Sequence, residues 1–275
     1  MESPKTVVTS TPHIRSASTV PNTMKAVLLA LAPAAVTGVF FFGVRALLVM
    51  ALSVASCVAF EALYQKLTGQ EITVSDFSAA VTGLLLAFNL PVSSPFWMPI
   101  VGAFVAIVIT KQLFGGLGQN FLNPALAGRA FLVAAYTPQM TSSFTEPVRN
   151  FIGVDAVASA TPLQLLKSGD FIPAAPDHIN ALLGNMSGTI GETCAVALIL
   201  GGLFLIFIKV ITWHVPVTFI ATVFLFTAVF QPNGFFGGYP LYHILAGGLM
   251  LGAFFMATDY SSSPVTPLGK IIMGV

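Results

Sequence analysis

The sequence predicts an all-α, polytopic membrane protein, and three observations lead there. Of the 275 residues, 56% are hydrophobic and 8% charged, against about 25% charged in an ordinary soluble domain. So few charges cannot cover the surface of a water-soluble fold. Apolar runs also follow one another along most of the chain, several near the roughly 20 residues a helix needs to cross hydrocarbon. Finally, the basic residues gather on one side when crossings are counted, as the positive-inside rule asks.

The chain opens with residues 1–23, which are polar and rich in Ser, Thr and Pro. They lack the apolar core and small-residue cleavage site of a signal peptide. They read as a cytoplasmic N-terminal tail, or a surface strand lying on a partner. The predicted spans then cover residues 25–42, 46–64, 79–90, 96–114 and 124–136, forming a first membrane half over 24–136. A second half, 193–275, holds 193–209, 215–230 and 242–258. Residues 268–275 open a further span and stop in mid-run, so the expectation is a chain that continues past Val275. Eight to nine spans result.

Charge sets the orientation. With Lys5, Arg15 and Lys25 inside, Lys66, Lys111, Lys209 and Lys270 fall on the same side. Arg45 is the exception, and Arg129 lies within a span. Residues 137–192 then form an outer loop carrying Glu146, Asp155, Asp170, Asp177 and Glu192 against Arg149 and Lys167.

Two spans are short. Residues 79–90 run into Pro91 and Pro95, and 124–136 begin at a proline after a glycine-rich turn. Irregular backbone at membrane depth survives only where protein or a polar cavity satisfies it. Interrupted spans in both halves point to an inverted repeat with a site between them. The two counterparts are "VTGLLLAFNLPVSSP", 81–95, and "LGAFFMATDYSSSP", 251–264.

Four stretches carry candidate chemistry. In "SATPLQLLKSGD", Thr161 suits an N-cap, Pro162 the first helical position and Gly169 the stop. The same geometry offers free N–H groups and a hydroxyl to a phosphate, and both readings stand. In "KQLFGGLGQNFLNPALAGRAF" the glycines permit tight turns, while Asn120 and Asn123 offer amides. This is either a re-entrant turn built for close packing or a ligand loop, though it lacks the Gly-Lys-Ser/Thr ending of a P-loop. Arg129 favours the ligand loop, because an intramembrane charge is costly and usually functional. Asp76 and Asp259 flank the interrupted spans as helix caps or as stations for a cation or proton.

The remaining residues read more plainly. His214 and His243 suit span ends, and Trp97 and Trp213 suit interfacial anchors. Cys57 and Cys194 lack metal or redox spacing and read as inert thiols, with a cluster shared at a subunit interface as the alternative. A net charge of +1 gives no footprint for nucleic acid. Nothing resembles a hydrolase triad, a zinc site or a dinucleotide fold.

Over nearly its whole length the chain resembles the D subunits of the Rnf complex, the ion-translocating ferredoxin:NAD⁺ oxidoreductase. That family is similar to the B subunits of the Na⁺-translocating NADH:quinone oxidoreductase. The resemblance is carried by "TPHIRS" with "MKAVLLALAPA", by "DFSAAVTGLLLAFNLP", by "KQLFGGLGQNFLNPALAGRAF", by "SATPLQLLK" and by "GGYPLYHILAGGLMLGAFFMATDYSSSPVTPLGK". It implies about ten spans in the bacterial cytoplasmic membrane and other redox and membrane subunits of the complex as partners. It also implies FMN bonded through its phosphate to Thr161, with Ser159 and Ala160 completing the motif; the motif's leading serine is replaced here by Ala158. Some members hold a second, non-covalent flavin, riboflavin, for which Asn120, Asn123 and Arg129 are the candidate contacts. The implied function is electron relay coupled to Na⁺ or H⁺ translocation. A stand-alone solute channel or transporter with inverted repeats is the rival reading of the same broken helices.

Overall fold

The computed structural model describes residues 19–141, 144–147, 160–169, 171–192, 194–230 and 238–275. Most of the N-terminal tail and the motif residues Ala158 and Ser159 lie outside the described residues. The described residues are helical, without strands; two isolated bridges, Pro91 with Thr189 and Thr145 with Gly188, tie loops together.

The first two predicted spans run together as α1, Val20–Thr68, interrupted where Gly43 takes φ 69°. That left-handed backbone is open to glycine at little cost, so the chain changes direction without leaving the helical bundle. Beyond it, Ala46, Val49, Met50, Ser53, Cys57, Glu61 and Gln65 form one buried stripe at helical spacing. The stripe packs on α2, Ser78–Phe88. Contact is close because Gly83 carries no side chain: a Cβ there would sit 2.7 Å from Val54 Cα.

Arg45, the exception to the charge pattern, has a local reason. Its guanidinium donates to the carbonyls of Val92 and Ser93 at 2.8 Å and to Ser94 at 3.3 Å. It satisfies the backbone left open when α2 stops before Pro91.

Helix α3, Trp97–Phe104, continues as a π-helix over Val105–Gln112. After the glycine turn comes α4, Pro124–Ala135, and then α5, Thr137–Thr141. The segment 137–192 supplies α6, Pro162–Ser168, and α7, Ala175–Leu183. The second half comprises α8, Ala195–Phe207, and α9, His214–Val229.

The predicted span 242–258 is not one helix. It divides into α10, Pro240–Leu245, and α11, Leu249–Leu251, which continues as a π-helix through Gly252–Met256. The break falls at Gly247, φ 146°, where a Cβ would meet Leu163 at 3.0 Å. Helix α12, Pro267–Gly274, ends the chain described.

Leu31, Ala46, Leu86, Phe88, Leu90, Met98, Leu132 and Ile190 are fully buried at the centre. Leu29, Val36, Phe40, Phe207, Leu225 and Phe226 face outward. An apolar exterior over an apolar core is what hydrocarbon asks of a helix bundle, and what water penalises. By length and composition α1 is long enough to cross a membrane; α2, α3 with its π extension, α4, α8 and α9 are shorter apolar helices.

Candidate functional site

Two cavities lie along α2. Ser78 at the start of α2 lines one and Asn89 just past its end lines the other. The first extends along α2 from Ser78 to Leu85, one helical turn short of Asn89.

The first cavity, of about 110 Å³, is bounded by Ser78, Lys111, Asn120, Asn123, Asp259 and the apolar side chains around them. Asn123 caps α4 as the sequence suggests: its carbonyl oxygen accepts from Ala125 N at 3.0 Å and Leu126 N at 3.3 Å. Its amide donates to the Met256 carbonyl at 3.3 Å, so one residue ties the two interrupted regions together. Asn120 donates to Leu122 O at 2.9 Å and to Asp259 Oδ2 at 3.4 Å. The Ser261 and Ser262 hydroxyls also donate to Asp259 Oδ2, at 3.0 and 3.3 Å. Asp259 therefore stands as an acceptor ringed by hydroxyl and amide donors.

The second cavity, of about 290 Å³, takes in Asn89, Arg129, Thr161, Gln164, Ser187, Glu192, Gly247 and Gly248. Thr161 is the N-cap of α6. Its hydroxyl oxygen accepts from Gln164 N at 3.3 Å, while Gln164 Oε1 accepts from Thr161 N at 3.0 Å. This capping box fixes the hydroxyl at the head of a short helix. Ser187 holds the approach by donating to the Ala160 carbonyl at 2.9 Å, and Gln164 Nε2 donates to Thr141 O at 3.3 Å.

Arg129 enters the same cavity from α4. Its Nη1 donates to Asn89 Oδ1 at 2.8 Å, and Nη2 lies 3.8 Å from Glu192 Oε1. The guanidinium is 36% exposed and the carboxylate 14%. Glu192 in turn accepts from Thr189 N at 3.2 Å and rests against Gly248, where a Cβ would sit 2.9 Å from its Oε1. One cation and one carboxylate leave the cavity close to neutral, and ions so placed attract free anions weakly. A phosphate-bearing group would be retained here by a covalent bond to Thr161 Oγ1 more than by charge. A half-buried hydroxyl and a guanidinium lining one cavity fit such a group.

The candidate flavin residues thus divide. Arg129 shares a cavity with Thr161, whereas Asn120 and Asn123 line the first cavity with Asp259; Ala160 touches the Thr161 cavity through Ser187. Ser159 lies outside the described residues. Asp76 caps α2, accepting from Ser78 N at 2.7 Å and Ser78 Oγ at 2.6 Å. Cys57 and Cys194 are free and buried, and no metal-binding cluster of His, Cys, Asp and Glu occurs among the described residues. Trp213 is exposed and stacks on His214 with ring centroids 4.2 Å apart.

Comparison with known proteins identifies the family. A family model described as NQR2, RnfD, RnfE matches residues 7–275. The chain belongs to the NQR2, RnfD, RnfE family. It is 47% identical over 270 residues, 98% of this chain and 81% of the relative, to the D subunit of the Na⁺-translocating ferredoxin:NAD⁺ oxidoreductase complex of Acetobacterium woodii. It is 43% identical, over 98% of this chain and 82% of the relative, to the D subunit of the proton-translocating ferredoxin:NAD⁺ oxidoreductase complex of Clostridium ljungdahlii. The D subunit of the ion-translocating oxidoreductase complex of Rhodobacter capsulatus is 38% identical over 96% of this chain and 81% of its own length.

Within this family chain, sequence reasoning passed over Asn89, Glu192 and Glu61. Asn89 carried a signal: a polar residue closing an apolar run just before a proline. Glu192 counted only as one more acid of the outer loop. Lys111, read as a flanking charge on the inner side, is instead 2% exposed and bonded to Glu61.

Proposed function

We propose that this chain is the flavin-carrying membrane component of a redox-driven, ion-translocating complex. FMN is joined by a phosphoester to Thr161, and electrons pass through it between the ferredoxin and NAD⁺ branches. The observation that carries the reading is the shared cavity: the Thr161 hydroxyl and the Arg129 guanidinium line one space beyond the end of α2. The names of the similar proteins, each the D subunit of an ion-translocating oxidoreductase complex, support it.

Each residue has a part. Thr161 Oγ1 accepts the phosphate link, and the Gln164 capping box holds that oxygen in place. Arg129, anchored by Asn89, offsets negative charge arriving in the cavity. Glu192 limits how far it does so. FMN when bound supplies one- and two-electron chemistry. The chain supplies position, and no catalytic acid or base is required of it.

A non-covalent second flavin, riboflavin, keeps Asn120, Asn123 and Arg129 as its candidate contacts; the first cavity, of about 110 Å³, is too small to enclose it. A bilayer-embedded bundle with N-terminus inside, residues 137–192 outside and the other Rnf subunits around it completes the reading. The inverted repeat is supported by the two interrupted regions, α2 with its proline loop and α10–α11, meeting where Asn89 Nδ2 lies 3.8 Å from Met256 Sδ. The coupling ion is Na⁺ or H⁺, the two that the similar proteins' names specify.

The deciding experiment is flavin fluorescence of the chain after denaturation and gel electrophoresis. A fluorescent band at the mass of this chain is expected. A dark band from intact, assembled complex overturns the proposal, and the channel reading takes its place.

A further inference from the structure

Glu61 and Lys111 are the most heavily buried charged side chains among the described residues. Lys111 Nζ lies 2.7 Å from Glu61 Oε1, with the side chains 2% and 1% exposed. Gln112 Nε2 donates to the same oxygen at 2.8 Å. Lys111 also donates to Ser78 Oγ at 2.6 Å, and Ser78 Oγ donates to Asp76 Oδ1 at 2.6 Å. We propose that Glu61 and Lys111 form a proton-exchange site inside the bundle, connected through Ser78 to the half-buried Asp76. This rests on the reading of the chain as an electron carrier.

Three features separate this cluster from a structural ion pair. Lys111, Ser78 and Asp76 form an unbroken chain of short donor–acceptor contacts, the continuity a proton relay needs. Glu61 Oε2 is buried and has no hydrogen-bond partner among the described residues. A pair retained only for packing would be expected to satisfy both oxygens, since an unmet buried acceptor is costly. Lys111 and Gln112 also lie in a π-helical segment, the geometry that brings two successive side chains onto one carboxylate and that recurs at functional sites. Ser78 and Lys111 moreover line the first cavity, so the relay runs between that cavity and Asp76.

The step balances within the chain. An N–H bond of the Lys111 ammonium breaks as its proton passes to Ser78 Oγ. The Ser78 hydroxyl proton passes to Asp76 Oδ1, where an O–H bond forms. Lys111 becomes a neutral amine and Asp76 a carboxylic acid, so Lys111, Glu61 and Asp76 together keep one net negative charge. Asp76 then releases the proton outward, and Lys111 is recharged from the cavity side or by reversal of the relay. Negative charge entering the low-dielectric cavity draws the proton in, and its departure releases it.

The test uses the whole complex. Redox-triggered infrared difference spectra are recorded in H₂O and D₂O, alongside stopped-flow proton uptake followed with an indicator dye. The wild type is expected to show a carboxyl stretch that shifts in D₂O and disappears in Asp76→Asn. Ser78→Ala keeps the ion pair and Asp76 but breaks the relay; it should slow proton uptake by roughly tenfold or more at unchanged covalent flavin content. Ser78→Thr, which keeps the hydroxyl, should restore it. Uptake and isotope effect in Ser78→Ala equal to wild type overturn the relay and leave Glu61–Lys111 a packing element. That comparison stands even if Glu61→Gln fails to assemble. Wild-type spectra without a carboxyl band, in a complex that passes electrons and carries covalent flavin, overturn this site and leave the electron-carrier reading standing; a complex without covalent flavin overturns that reading instead.

Discussion

Arg129 and Asn89, forty residues apart in sequence, are joined by a hydrogen bond of 2.8 Å from guanidinium to side-chain carbonyl. Asn89 is itself held by donating to Leu85 O at 2.7 Å, so the end of α2 aims the charge of α4. The positive group at the Thr161 cavity is therefore fixed by the fold. Its consequences can be measured.

Replacing Arg129 with Gln keeps a donor toward Asn89 and removes the charge. One missing cation at the distance of a cavity wall is worth about 1 kcal/mol, or about 40 mV for one electron. The covalent flavin's midpoint potential should fall by that order in a spectroelectrochemical titration, with flavin content unchanged.

Thr161→Ala should abolish covalent flavin while the complex still assembles, because losing an N-cap costs only about 1 kcal/mol. Thr161→Ser should keep part of it, since the hydroxyl remains. Peptide mass spectrometry reads the outcome; FMN mass on a peptide without Thr161 would refute the attachment site.

Asp259 gathers three donors on one carboxylate oxygen, from Ser261, Ser262 and Asn120. Asp259→Asn should leave covalent flavin content intact and lower ion uptake per electron in proteoliposomes of the whole complex. Normal coupling at normal electron flux would reduce Asp259 to a local cap.

Cysteines at Lys167 and Lys209, both exposed, report orientation. In intact cells an impermeant maleimide should label Lys167→Cys and spare Lys209→Cys, with the reverse in inverted vesicles. A cysteine at Lys111 should react from neither side, because that position is buried. Labelling of Lys209→Cys in intact cells would invert the topology.

Helix contact through glycine sets the last expectation. A Cβ at Gly83 would lie 2.7 Å from Val54 Cα, and one at Gly128 2.8 Å from Gly102 O. Backbone cannot yield as a side-chain tip can, so either alanine variant should cost about 1–3 kcal/mol. Gly252→Ala, with nothing within 4 Å, should be tolerated. Thermal unfolding in detergent, followed by size-exclusion chromatography, separates the two classes.

Much of this was legible in the sequence for a local reason. Thr161 as a cap, the stop at Gly169 and the cap at Asn123 depend on residues within a few positions of each helix end, so the chain declares them itself. The break near Gly43 followed from an interruption in apolar content. The break at 247 did not, because glycines inside an apolar run read equally as close packing. Only the contact of Gly247 with Leu163 distinguishes the two.

The sequence by itself determined the class: an apolar helix bundle, its interruptions and the family to which it belongs. These follow from composition and short-range pattern, which survive without knowing which helix meets which. Tertiary structure decided the partnerships. It placed Asn120 and Asn123 in a different cavity from Thr161 and delivered Arg129 to the Thr161 cavity. It also drew Lys111 into the bundle beside Glu61, fifty residues away. A lysine at a span end looks the same whether it meets water or a buried carboxylate. The difference lies in the neighbouring helix, and one-dimensional pattern carries no record of which helix that is.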